Sequence, residues 1–151
     1  MSELHIVHIN IRGLRANVVE LQCYVNETRP DIVLLNEKLL VGKPAPHITG
    51  YRVAAARDRS MNGIRGGGVA IYVSRSIICT DISPEVDDIM AIEVHTSSFL
   101  MAVISYYRPP HPIDLEEPTL ETYFSKYERC IVAGDLNAKH QFYGCKATNA
   151  A

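Results

Sequence analysis

The sequence predicts a mixed α/β fold, and three observations lead there. Apolar, β-branched runs recur at residues 5–11, 31–37, 51–56, 68–74, 89–96, 99–107 and 130–137, with the length and composition of strands. Two stretches place apolar residues at helical spacing instead: Leu14, Val18, Leu21 and Val25, then Leu120, Tyr123, Phe124 and Tyr127. Strand, helix, buried strand, hairpins, helix, strand is the element order of a layered α/β domain.

The first strand, "HIVHINI" at 5–11, runs into a turn at Gly13. A helix follows, and Pro30 stands just beyond its expected end. "DIVLLNE" at 31–37 is continuously apolar up to Asn36-Glu37, as in a strand buried on both faces. "YRVAAA" (51–56) and "GVAIYVS" (68–74) flank a turn-rich stretch with three successive glycines, which predicts a hairpin with a long tip. "IICTDI" at 77–82 is a further strand candidate. "IMAIEVHT" (89–96) and "FLMAVISYY" (99–107) form a short hairpin around Ser97-Ser98. Pro109, Pro110 and Pro112 bar regular structure. A helix is expected from about Asp114, then the strand "CIVAGDLN" at 130–137. No repeat, linker or low-complexity segment interrupts the order.

The 151 residues suit one domain or a large piece of one. At 47% hydrophobic and 21% charged, the chain has the composition of a soluble globular protein. No apolar run approaches the ~20 residues that span a bilayer, so no membrane partner is expected. The start lacks the basic and apolar regions of a signal peptide. Cys23, Cys79, Cys130 and Cys145 form no C-x-x-C pair. Two lie in apolar stretches and read as reduced, buried thiols of an intracellular protein, with zinc binding disfavoured. The net charge is -2. Yet Lys38 to Arg75 holds seven basic residues (Lys38, Lys43, Arg52, Arg57, Arg59, Arg65, Arg75) against one acid, Asp58. Such a zone reads equally as a polyanion-facing surface or as a solvated face.

Several strands end in polar groups that apolar packing does not require: Asn10, Glu37, Tyr106-Tyr107, and Asp135 with Asn137 in "IVAGDLNAKH". Each has an ordinary reading. Gly, Asp and Asn make turns, Glu37 suits a rim carboxylate, and Tyr107 suits the core with its hydroxyl satisfied locally. In layered α/β folds, however, sites gather where strand ends converge.

The joint order of "HINIRGL", "DIVLLNE", "GGGVAIYV", "SYYRPP" and "GDLNAKH" resembles the endonuclease/exonuclease/phosphatase superfamily, which includes pancreatic deoxyribonuclease and the apurinic/apyrimidinic endonucleases. More narrowly, "RGGGVAIYV", "YRPP" and "GDLNAKHQFYGCKATNAA" resemble the endonuclease domain of non-LTR (LINE-type) retrotransposons. The resemblance implies a four-layer α-β-β-α sandwich of the DNase I-like type. It also implies a Mg²⁺-dependent (or Mn²⁺-dependent) endonuclease that nicks target DNA in the nucleus. A reverse transcriptase domain of the same polyprotein then primes on the nick. Carried over residue by residue, Glu37 matches the metal carboxylate and Asn10 the asparagine that places it and the ion. Asp135 matches the residue that orients or deprotonates the attacking water, and Asn137 the amide on the phosphate oxygens. Tyr107, rather than Tyr106, matches the tyrosine on the scissile phosphate. Arg12, Arg65, Arg108, Lys139 and His140 are the side chains expected to meet DNA.

The sequence departs from the pattern in two places. No Ser-Asp-His motif occurs in these 151 residues, although the family carries its phosphate-polarising His there. The expectation is that residues 1–151 are the N-terminal two thirds of one domain, that the sandwich is incomplete because C-terminal strands are missing, and that nicking is impaired. Exposed sheet edges are then expected to favour self-association. Lys38 follows Glu37 where the retrotransposon domains more often carry Thr. Two other readings stay open: a lipid or inositol phosphate phosphoesterase of the same superfamily, and a non-catalytic nucleic-acid-binding remnant.

Overall fold

The computed structural model describes residues 3–40, 42–59, 67–108, 117–139, 141–146 and 148. Eight strands and two helices follow in the order β1 (Ile6–Asn10), α1 (Val18–Thr28), β2 (Ile32–Asn36), β3 (Tyr51–Arg57), β4 (Val69–Ser74), β5 (Ile78–Asp81), β6 (Ile89–His95), β7 (Leu100–Tyr107), α2 (Glu117–Lys126) and β8 (Cys130–Asp135). They form two four-stranded sheets, ordered β1-β2-β4-β3 and β5-β6-β7-β8. Both expected hairpins are present as antiparallel pairs, β3 with β4 and β6 with β7.

Side-chain alternation along the strands sorts the apolar residues into three layers. Between the sheets lie Ile32, Leu34, Ile71 and Val73 from one side and Met90, Ile92, Val94 and Val103 from the other. On the outer face of the first sheet, Leu21 and Val25 of α1 pack on Val33, Leu35, Ala70 and Tyr72. Tyr123 and Tyr127 cover Ile89, Ala91, Ala102, Ile104 and Tyr106 on the outer face of the second. The result is the four-layer α-β-β-α sandwich. β2 and β4 are apolar up to their last residues, Asn36 and Ser74, because sheet and helix bury both their faces.

Some expectations need correction. Residues 14–17 form turns, and α1 starts only at Val18, although Leu14 is fully buried beneath it. Arg29 ends α1 in the left-handed conformation, its N–H donating to the Val25 carbonyl. Phe124 does not share the buried face of α2: it is 53% exposed, while Leu120, Tyr123 and Tyr127 pack on the sheet. Cys79 and Cys130 are only partly buried, and all four cysteines are free. The basic zone is not a continuous surface. Lys38 is buried and paired with Asp58, and Arg59 pairs with Asp88. Arg57 donates to the Pro84 and Val86 carbonyls, and Arg52 to the Ile77 carbonyl. Pro109, Pro110 and Pro112 lie outside the described residues, as do Gly66 and residues 114–116 of the expected helix. Among the described residues no helix is long and apolar enough to cross a membrane.

Candidate active site

The site follows from two parallel strand pairs, one in each sheet. β1 runs parallel to β2 with Asn10 opposite Asn36. β7 runs parallel to β8 with Tyr107 opposite Asp135. Parallel neighbours finish at the same end, so each pair delivers two C-terminal residues to one edge. β1 and β8, each at one border of its sheet, meet there across the sandwich. Asn10 Nδ2 donates to Glu37 Oε1 at 2.9 Å and to Asp135 Oδ2 at 3.2 Å. One amide thus ties the Glu37 carboxylate, just past β2, to the Asp135 carboxylate of the second sheet, Asn10 and Asp135 being 125 positions apart. The Asn10 Oδ1 atom is buried and has no hydrogen-bond partner among the described residues.

The loops at this edge are strained. Arg12, Glu37, Leu39 and Asn137 all have positive φ, between 45° and 55°. Away from glycine such geometry is uncommon, and it collects at functional sites when neighbours enforce it. The neighbours around Glu37 are explicit. Its carbonyl accepts the Gly13 N–H, the Lys38 carbonyl accepts that of Leu14, and the Lys38 and Leu39 N–H groups donate to Gly68 and Gly67. The buried Lys38 ammonium pairs with Asp58, which also accepts the Gly42 N–H at 2.6 Å. Burial alone would raise the Asp58 carboxyl; the bonds from Lys38 and Gly42 more than reverse this and hold it below its ordinary value.

"GDLN" serves as a turn and as a site element together. The Asn137 N–H donates to Asp135 Oδ1 at 3.1 Å, an Asx turn, while Oδ2 of the same carboxylate meets Asn10. Asn137 Nδ2 donates to the Arg108 carbonyl at 2.7 Å. Gly134 is required for a different reason: a Cβ there would stand 1.7 Å from the Tyr106 carbonyl oxygen.

The two tyrosines face opposite sides of β7. Tyr106 faces outward into the α2 layer, and Tyr107 faces inward between the sheets. Burial, then the Glu37 carboxylate, push the Tyr107 phenol above its ordinary value, with Arg59 opposing. It therefore remains a protonated, neutral donor at physiological pH. Arg12 and Lys139 are exposed. Arg108 was expected to contact DNA but is only 5% exposed, so it presents no surface cation. Arg65 and His140 lie outside the described residues.

Three residues went unnoticed in the sequence. Asn36 and Ser105 are fully buried at the inter-sheet contact behind the carboxylates. Asp88 supplies the carbonyl that accepts the Tyr107 N–H at 2.9 Å, and it pairs with Arg59. The available signal was a polar residue inside an apolar run, in "LLNE" and "VISYY".

The oxygen donors suit a hard cation. Among the described residues no three His, Cys, Asp or Glu side chains gather as a metal cluster. Mg²⁺, however, commonly takes one or two carboxylates and completes its shell with water and phosphate. Glu37 and the unpartnered Asn10 Oδ1 are donors of that kind.

The two-sheet sandwich brings Asn10, Glu37, Tyr107 and Asp135 to one edge, and sequence comparison gives the family. The family profile "Endonuclease/Exonuclease/phosphatase family" matches residues 7–150, and the chain belongs to that family. It is 28% identical over 155 residues to a probable RNA-directed DNA polymerase from transposon X-element of Drosophila melanogaster, a match covering 99% of this chain and 17% of that protein. It is 28% identical over 139 residues to the RNA-directed DNA polymerase from mobile element jockey of the same organism, covering 89% of this chain and 15% of that protein. The endonuclease domain of TRAS1, a telomere-specific non-LTR retrotransposon, superposes with a TM-score of 0.68 at 22% identity, over 97% of this chain and 66% of that one. The chain thus spans under a fifth of the length of these polymerases and about two thirds of the TRAS1 domain.

Proposed function

We propose that this chain is the N-terminal two thirds of a metal-dependent DNA endonuclease domain of a retrotransposon polyprotein, one that nicks target DNA to prime reverse transcription. The observation that carries this reading is the Asn10 fork joining Glu37 to Asp135 beside Tyr107. The relatives in mobile-element polymerases support DNA and a reverse transcriptase domain of the same polyprotein as partners. The free outer edges of β1 and β8, among the described residues, support further strands from a longer chain.

In this reading Glu37, with Asn10 beside it, holds Mg²⁺ or Mn²⁺, which when bound supplies positive charge to the phosphate. Asp135 orients the attacking water and accepts its proton. Tyr107, kept neutral, donates to a phosphate oxygen, and so does the Asn137 amide. Exposed Arg12 and Lys139 contact the DNA backbone.

The test is nicking of supercoiled plasmid by the purified chain with Mg²⁺, beside EDTA and Glu37→Ala controls, with inositol phosphates as a parallel substrate. The expected outcome is slow nicking that both controls abolish. The rate should trail an intact relative by ~10²–10³-fold for each absent transition-state donor. Nicking that survives Glu37→Ala would sink the assignment, and hydrolysis of inositol phosphates alone would move it to the phosphoesterase reading.

A further inference from the structure

We infer that Asn36 is a positioning residue that sets the separation of the Glu37 and Asp135 carboxylates. Its side chain is fully buried, one residue before Glu37, and touches strands of both sheets. Asn36 Oδ1 accepts the Asp135 N–H at 3.0 Å, across the sandwich. His8 Nε2 lies 2.6 Å from the same oxygen, and Asn36 Nδ2 donates to Ser105 Oγ at 3.3 Å. The amide orientation is determined chemically. A backbone N–H can only donate, so the atom facing Asp135 is the oxygen, and His8 must carry its proton on Nε2.

Most of the remaining inter-sheet contact is hydrocarbon. Apolar burial is non-directional, so it specifies how much surface the sheets share rather than their exact offset. A hydrogen-bonded amide of fixed length does specify an offset. It acts at the residue adjoining one carboxylate and on the backbone of the other. Asn36 touches neither metal nor substrate in this scheme and works through Asp135.

The test compares Asn36→Leu, nearly isosteric but without hydrogen bonds, and Ser105→Ala with the unaltered chain, all first shown to be folded. Three readouts are taken: Mn²⁺ affinity, plasmid nicking with kcat and KM separated, and backbone amide exchange at Asp135 against Ile92. The activity readout rests on the nuclease reading and the Mn²⁺ readout on its metal site alone; amide exchange rests on neither. Asn36→Leu should lower Mn²⁺ affinity and kcat by ~10–100-fold, as loss of a supporting contact around a metal site does. KM should be nearly unchanged, and exchange should quicken at Asp135 but not at Ile92. Ser105→Ala should shift the same quantities less, and it carries the test if the Leu variant does not fold. Unchanged Mn²⁺ affinity and Asp135 protection in a folded variant would overturn the inference. A parent chain that binds Mn²⁺ but nicks nothing would overturn the nuclease reading alone, with Asn36 still judged by affinity and exchange.

Discussion

β2 and β7 are buried along nearly their whole length, whereas their parallel neighbours β1 and β8 are only half-buried. The difference comes from position. β2 and β7 have strands on both sides and layers on both faces, while β1 and β8 each leave one edge unpaired among the described residues. The polar site groups divide between the two kinds of strand: Asn10 ends β1 and Asp135 ends β8, while Tyr107 ends buried β7 and Glu37 directly follows buried β2. Middle strands supply most of the cohesion and bring site groups to the edge only at or just past their C-terminal ends, whereas outer strands stay half-buried along their length. A carboxylate buried as deeply as Leu34 would pay a desolvation penalty of several kcal/mol unless paired.

The largest expected effect breaks the comparison if it fails. Leu34→Ala should lower unfolding free energy by about 2–5 kcal/mol, since a fully buried side chain leaves a cavity. Ile131→Ala on β8, 38% exposed, should cost well under half of that. Urea unfolding measures both, and equal losses would show that β8 is as integral as β2. Next, Gly134→Ala should cost about 1–3 kcal/mol through overpacking, because the new Cβ meets the Tyr106 carbonyl. That carbonyl belongs to the backbone and cannot rotate away, so Asp135 should move too, which amide chemical shifts near Asp135 would report. The smallest effect concerns the loop after β2. Asp58→Asn should cost on the order of 1 kcal/mol, solvent screening the third of Asp58 that is exposed. Its folded carboxyl lies below the ordinary value of ~3.9. The pair's contribution is therefore present above that value and lost as pH falls through the lowered one. The melting difference between the parent and Asp58→Asn should thus be full at pH 7 and shrink at the acid end; a difference constant across pH would remove the Lys38–Asp58 charge pair from the account.

Lys38 shows why a local reading of residues stops short. Beside Glu37 it looked like a departure from the family pattern and part of a basic surface. In three dimensions it is buried against Asp58, twenty residues along, and clamps the strained loop that carries Glu37. Arg108 is a similar case, since a cation next to "YRPP" looked available but is packed away. Asn36 was passed over in a motif quoted for its neighbour.

The sequence by itself determined the element order and the burial of β2, and its family resemblance singled out Asn10, Glu37, Tyr107 and Asp135 as candidates. Those depend on short-range periodicity and on a family motif that survives in local runs. Tertiary structure alone decided which cations are exposed, which polar groups join the sheets, and that one asparagine amide bridges two carboxylates. Charge pairing and inter-sheet hydrogen bonds connect residues 20 to 125 positions apart. Their geometry depends on how the two sheets stack, which spacing along the chain does not encode.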